Sequence, residues 1–232
     1  MNVSDFRSRG RSLLGRALFR LWLRPKAMPG LVRLGTDYGG WWVPSSCLGP
    51  GTVAYCGGAG EDISFDVALH DSGCKVVTFD PTPRAIAHVR DVAPKDERFR
   101  FVPVGWWGEE AELRFYAPRN PAHVSHSAVN LQRTEEYFIA PVKPVRVLME
   151  ELGDVRVDLI KMDVEGSEYA VIDSLLAIGP RVAVLCIEFD QPQPLRRVLT
   201  AVRRLCESGY RLARIERWNY TFVGNIGDNR EP

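Results

Sequence analysis

Short apolar runs alternate with longer amphipathic stretches from about residue 50 onward. The runs TVAYC (52–56), KVVTF (75–79), FRFVPV (99–104), VDLIKM (157–162) and VAVLCIEF (182–189) have the length of buried strands. The segments between the first three, and the one after the fourth, are long enough for helical crossovers. This alternation predicts βαβ units with right-handed crossovers, hence an α/β, Rossmann-like, mostly parallel sheet with helices on both faces. The final runs, RLARIER (211–217) and NYTFVG (219–224), lie too close for a crossover and predict a C-terminal antiparallel hairpin.

Two regions depart from the alternation. In residues 1–30, Leu13, Leu14, Ala17, Leu18 and Leu21 recur at helical spacing while Arg16, Arg20 and Arg24 fall four apart on another face. The segment reads as a basic amphipathic helical extension to a domain at 31–232. It is expected to dock on its own domain or on a partner subunit, with contact to a membrane surface and a homo-oligomer both left open. Arg16 and Arg20 interrupt the apolar centre that a secretory signal requires. Residues 105–150 hold Pro118, Pro121, Pro141, Pro144 and the strand-like AELRFYA, and show no long helical pattern before about 145. They read as an inserted arm beside the ligand-binding edge of the sheet.

Composition narrows the class. The chain has 232 residues, 45% hydrophobic and 25% charged, which excludes disordered, collagenous and coiled-coil readings. Net charge is +1, but residues 1–30 hold seven basic residues against Asp5 alone, leaving 23 basic and 28 acidic residues elsewhere. A mildly acidic body lacks the broad basic face of a nucleic-acid binder, so no nucleic-acid partner is expected. Five cysteines without a CxxC pair fit reduced thiols and a cytoplasmic protein, peripheral to a membrane at most. GxSxG, HExxH and Walker patterns do not occur, which removes the support for hydrolase, protease and kinase readings.

The sharpest chemical feature is VAYCGGAGED (53–62), a strand running into Gly57, Gly58 and Gly60 and then a helical pattern over 61–70. Glycines there let backbone approach a ligand, and a helix start offers free N–H groups. About 20 residues on, Asp80 in FDPTP stands where a carboxylate can hydrogen-bond ribose hydroxyls. A dinucleotide fingerprint beginning at Gly58 would place Ile63 at its third glycine, and Glu61 and Asp62 would repel a pyrophosphate. S-adenosylmethionine has no phosphate and carries a sulfonium and an ammonium, so acids suit it. A nicotinamide-dependent oxidoreductase is the weaker alternative.

The second feature is VDLIKMDVEGSEY (157–169). Strand alternation sets Lys161 and Asp163 on one side, with Asp163 at the carboxyl end where α/β sheets bind ligands. Glu165 and Gly166 are expected to open the next helix, where Glu165 and Glu168 suit capping as well as function. Asp163 could hold the donor's ammonium, act as a base or ligate a cation. With Glu188 and Asp190 it makes a set suited to magnesium or calcium, yet such acids are common without metal, and no metal is assigned. His123 and His126 in HVSHS are candidate bases, whereas His70 and His88 read as solvated helix positions. Trp106 and Trp107 suit either an adenine cover or core packing.

IKMDVEGSE resembles the signature region of the FkbM-type S-adenosylmethionine-dependent methyltransferases, and VAYCGGAGEDISFD and FDPTP are similar to that family's first and second motifs. The resemblance spans about residues 50–225. It implies the class I methyltransferase fold, a seven-stranded sheet with its last strand antiparallel. It also implies O-methylation of a hydroxyl on a sugar or natural-product small molecule. Gly57, Gly58, Gly60, Asp62, Asp80, Pro81 and Asp163 would then contact the cofactor, with Asp163 and His126 as catalytic candidates. Many class I enzymes close the first strand with an acid; here that place is Cys56, and contact with the donor's ammonium passes to Asp62 or Asp163. A methyltransferase fold that binds without turnover is the remaining rival.

Overall fold

The computed structural model describes residues 23–120, 125–178, 182–190 and 195–224. The amphipathic pattern over 13–21 and the candidate base His123 lie outside the described residues.

Each apolar run becomes a strand of one seven-stranded sheet. β3 (Val53–Gly57) leads through α1 (Ser64–Asp71) to β4 (Lys75–Phe79), and α2 (Pro83–Val92) leads to β5 (Phe99–Val102). After the 105–143 region, α3 (Val145–Leu152) enters β9 (Leu159–Met162), α4 (Glu168–Ile178) leads to β10 (Val184–Glu188), and α5 (Leu195–Glu207) leads to the hairpin β11 (Tyr210–Glu216) and β12 (Asn219–Gly224). The order is β11-β12-β10-β9-β3-β4-β5, and β12 is antiparallel to both β10 and β11. This is the sheet that the resemblance implies, mostly parallel and finished by the antiparallel hairpin.

Period-two alternation divides the core in two. Tyr55, Val77, Ile160, Met162, Leu185 and Ile187 point to one face and pack with Val145, Leu148, Ile172, Val198 and Leu205 of α3, α4 and α5. Ala54, Cys56, Val76, Leu159, Val184 and Cys186 point to the other, against Phe65 and Leu69 of α1 and Ala85 and Val89 of α2. The second face is completed by Trp41 and Val43 from a short hairpin, β1 (Leu31–Leu34) and β2 (Trp41–Pro44), which the run pattern did not reveal. Thr221 Oγ1 donates to the Trp42 carbonyl at 2.8 Å, and the Arg214 guanidinium sits 4.5 Å from the Trp42 ring, so the hairpin rides on the β11-β12 end of the sheet.

A separate three-stranded sheet follows β5, made of β6 (Gly105–Trp106), β8 (Tyr137–Lys143) and β7 (Ala111–Tyr116) in that order. Its own small core is Phe115, Ala140 and Val142, with Phe138 stacked on Phe115 at 5.5 Å. α3 packs instead in the main core.

Three local expectations are corrected. α1 begins at Ser64, because Glu61 and Asp62 lie in the turn that leaves the glycine loop. Glu165 and Gly166 also precede their helix: both have positive φ, 47° and 100°, and α4 starts at Glu168. His70 is buried rather than solvated, because α1 turns Phe65, Asp66, Leu69 and His70 inward together, and the His70 Nε2 lies 2.7 Å from the Asp96 carboxylate. His88 is half-buried on α2.

Candidate active site

Strand order reverses where β9 and β4 lie on opposite sides of β3, and a ligand crevice is expected there, outside the carboxyl ends of the strands. A cavity of about 650 Å³ opens at that point, within the range of small-molecule sites. Gly57, Gly58, Gly60, Asp62, Asp80, Pro81, Asp163 and His126 all line it.

The glycine loop is fixed by close contact. Gly58 has φ +83°, and a Cβ there would lie 1.7 Å from the carbonyl oxygen of Asp163. A Cβ at Gly57 would lie 2.6 Å from the Trp106 ring. Gly58 N–H donates to the Phe79 carbonyl at 2.8 Å, and Asp163 N–H donates to the Gly57 carbonyl at 3.1 Å. The loop is thus pressed between β4, β9 and the start of the small sheet, and only glycine satisfies it.

Two of the expected cofactor carboxylates also hold this loop. Asp80 Oδ2 accepts from the N–H groups of Ala59 at 2.9 Å and Gly60 at 3.0 Å, and Oδ1 accepts from Thr82 N–H at 2.8 Å. Asp62 Oδ1 accepts from Ser64 N–H at 2.9 Å at the start of α1, and Oδ2 accepts from Thr36 Oγ1 at 2.5 Å. Burial opposes the Asp62 charge, but the hydrogen bonds from Ser64, Thr36 and Gly39 outweigh it and hold the carboxyl below its ordinary value. The bond from Thr36 joins the β1-β2 loop to the glycine loop. That loop also carries Tyr38, 80% exposed at the cavity's edge. The three glycines of the 35–40 loop are the sequence hint of this wall, and the partner of Thr36 is 26 residues away.

Beside the glycine loop the cavity is acidic. Asp163, Glu165, Glu188 and Asp190 all line it, while its basic lining residues are Lys161, Arg217 and the histidine at 126. Burial first, then the charge of Asp163, pushes both Glu165 and Glu188 well above the usual carboxylate range. Asp190 is pushed up as well, by burial and then by Glu165 and Asp163. Among the described residues, Asp163, Glu165 and Asp190 each bring one carboxylate oxygen within 4.8 Å of the others. Glu168, in contrast, is fully buried at the first turn of α4 and does not line the cavity.

Lys161 is buried at 4% exposure. Its Nζ donates to the Gly58 carbonyl and lies 3.5 Å from Asp163 Oδ2. Burial opposes its charge, but Asp163 and Asp66 more than offset that, so its pKa lies above the ordinary lysine value. Asp66, on α1, supplies an acid close to Cys56 near the end of β3: it is fully buried and accepts from Thr78 Oγ1 at 2.5 Å. Burial pushes the Cys56 thiol well above its ordinary value, with Asp66 adding to it.

The aromatic candidates separate. Trp106 is buried against Gly57 and tilted on Phe79 at 5.4 Å, so it forms the cavity's floor as a core residue. Trp107 packs on the small sheet. His126 reaches the cavity from the 105–143 region, with its ring edge-on to Phe138 at 5.2 Å. Ser127 beside it donates to the Glu165 carbonyl at 2.6 Å and so ties that region to the acidic wall.

The sequence model of a family described as Methyltransferase FkbM domain matches residues 54–212. No curated protein matches the chain. Among solved structures, the chain is similar to a precorrin-6y C5,15-methyltransferase from Geobacter metallireducens, with 14% identity, a TM-score of 0.42, and coverage of 76% of this chain and 82% of that one. It is also similar to the fibrillarin pre-rRNA processing protein of Methanococcus jannaschii, with 12% identity, a TM-score of 0.41, and coverage of 77% and 67%.

Proposed function

The chain belongs to the FkbM methyltransferase family, and from that premise we propose that it transfers a methyl group from S-adenosylmethionine to a hydroxyl oxygen of a sugar or natural-product small molecule. The observation that carries the cofactor reading is the pairing of a glycine cradle with an acidic cavity. A Cβ at Gly58 would strike the Asp163 carbonyl, so bare backbone lines this part of the cavity, and the acids beyond it suit a ligand with two cationic centres and no phosphate. Glu61 at the rim pairs with Arg84 at 2.7 Å, which leaves the inner acids to face the ligand. When bound, S-adenosylmethionine supplies an electrophilic methyl group on its sulfonium. The chain's part is alignment and proton handling, which supply much of the rate in such displacements. Gly57, Gly58 and Gly60 admit the methionine end, Asp80 and Pro81 flank the ribose, and Asp62 faces the ammonium. Asp163 orients the acceptor hydroxyl, and a ring nitrogen of His126 receives its proton. The oxygen acceptor rests on the DVEGSE resemblance, and the exposed ring of Tyr38 offers the acceptor a surface at the cavity's edge.

Calorimetric titration tests the reading, with S-adenosylmethionine, S-adenosylhomocysteine and NADH as ligands. Micromolar binding of the first two and none of the third is expected, followed by transfer of labelled methyl to hydroxylated glycans or small natural products. Preference for the nicotinamide would overturn the cofactor. Binding without any methylated product would favour a non-catalytic protein on this fold. Asp163→Asn is expected to abolish turnover and retain the fold, and an active variant would remove Asp163 from the mechanism.

A further inference from the structure

We propose that Asp163, Glu165 and Asp190 form a binding site for one divalent cation of the magnesium class, open to the cavity. Their three carboxylate oxygens lie within 4.8 Å of one another. Cation–oxygen bonds of about 2.0–2.6 Å place opposite ligands about 4–5 Å apart, so the three can reach one ion. They come from three separately fixed pieces of backbone: the end of β9, the left-handed turn at Glu165, and the residue after Phe189, whose N–H is held by the Trp218 carbonyl at 3.1 Å.

Acids gathered at strand ends are common, and the cluster alone would mean little. The second observation is Asp190 itself. Its Oδ2 is sealed from solvent and has no hydrogen-bond partner among the described residues. A buried carboxylate oxygen with no donor carries a desolvation cost, and no described residue offsets it with a hydrogen bond. No ion pair among the described residues reaches Glu165 or Asp190, and Lys161 is engaged by the Gly58 carbonyl and Asp163. A cation placed among the three oxygens would give the Asp190 carboxylate a partner and neutralise the mutual repulsion. The donor set is all oxygen, which selects magnesium, manganese or calcium over zinc or copper. Three protein ligands leave coordination positions facing the cavity for water. A part in seating the acceptor rests on the hydroxyl reading above; the binding of the cation does not.

The test uses Mn2+ as a paramagnetic probe of the whole chain, with no methyl donor or acceptor present. Titration followed by the electron paramagnetic resonance signal of free Mn2+ should show one bound ion per chain, displaced by Mg2+. Asp190→Asn and Glu165→Gln should each weaken it about tenfold or more, while Asp91→Asn on the exposed face of α2 leaves it unchanged. Circular dichroism melts identify any variant that fails to fold, in which case the other carries the test. Absence of Mn2+ binding at millimolar concentration, or equal affinity in wild type and both variants, overturns the site. Failure of S-adenosylmethionine to bind in calorimetry would leave the Mn2+ result standing, so the two readings fail separately.

Discussion

Two glycines with positive φ separate geometry from function at the residue scale. Gly58→Ala forces a Cβ against the Asp163 carbonyl at φ +83°, whereas Gly153 at φ +73° has nothing within 4 Å of its Cβ position. Both alanines carry left-handed strain of about 1–3 kcal/mol. Only the first should also weaken S-adenosylmethionine binding, by about tenfold or more, and melts alongside calorimetry will separate the two effects. Lys161 gives the complementary case. Lys161→Met leaves Asp66 and Asp163 without their buried counter-charge and should lower unfolding free energy by about 3–5 kcal/mol, read by denaturant titration. The lysine is visible in IKMDVEGSE as a position on the Asp163 side of its strand. Its contact with the Gly58 carbonyl spans 103 residues of sequence, and local pattern does not encode such a contact.

At the scale of elements, two ties determine whether the cavity keeps its shape. Asp62 binds the β1-β2 loop to the glycine loop through Thr36. Its carboxyl is held below the ordinary value of 3.8, so the stability it adds is present above that value and is lost as pH falls through the lower folded value. The difference in melting temperature between wild type and Asp62→Asn should therefore be flat from pH 5 to 8 and shrink below about pH 4. The second tie runs from Ser127 to the Glu165 carbonyl. Ser127→Ala should lower turnover about tenfold by releasing the acidic turn, with S-adenosylmethionine affinity unchanged in calorimetry.

Elements were legible where one physical signal dominated. Uninterrupted apolar runs such as KVVTF marked the buried parallel strands within a residue or two. β8 escaped notice because it alternates exposed and buried residues and carries Pro141, which fits where β7 alone pairs with it and the ladder to β6 has not yet begun. β1 and β2, four residues each, carry too short a pattern to read. Helix starts were set too early at both Glu61 and Glu165, because an acid near a helix start looks the same in sequence whether it caps the helix or lines a cavity in the turn before it. His70 was misjudged for a related reason. A polar residue on an inward face is stable once Asp96 reaches it, and that partner lies in another element.

On the scale of the whole molecule, two hydrophobic cores sandwich a single sheet, and the cavity sits where both end. Among the described residues no helix is long and apolar enough to cross a membrane. The chain's alternation foretold a mostly parallel sheet closed by a hairpin, whereas the strand order and the reversal at β3 that places the cavity are set by the tertiary arrangement of the crossovers. The inventory of the cavity's acids was readable from the strand ends. Which acids face one another was not, because that depends on left-handed turns at Gly58 and Glu165 that bring remote loops together.

The contact between Gly58 and the Asp163 carbonyl makes the glycine loop and the acidic wall a single rigid partition, with no space between them to absorb movement. A ligand that shifts one side must shift the other. Equilibrium linkage then imposes a symmetry: whatever factor a methyl donor applies to the affinity of a ligand on the acidic side, that ligand applies to the donor. Titrating Mn2+ against the S-adenosylhomocysteine complex, and then S-adenosylhomocysteine against the Mn2+ complex, should return the same coupling factor, different from one. In Gly58→Ala, where the partition is disrupted, that factor should fall to one.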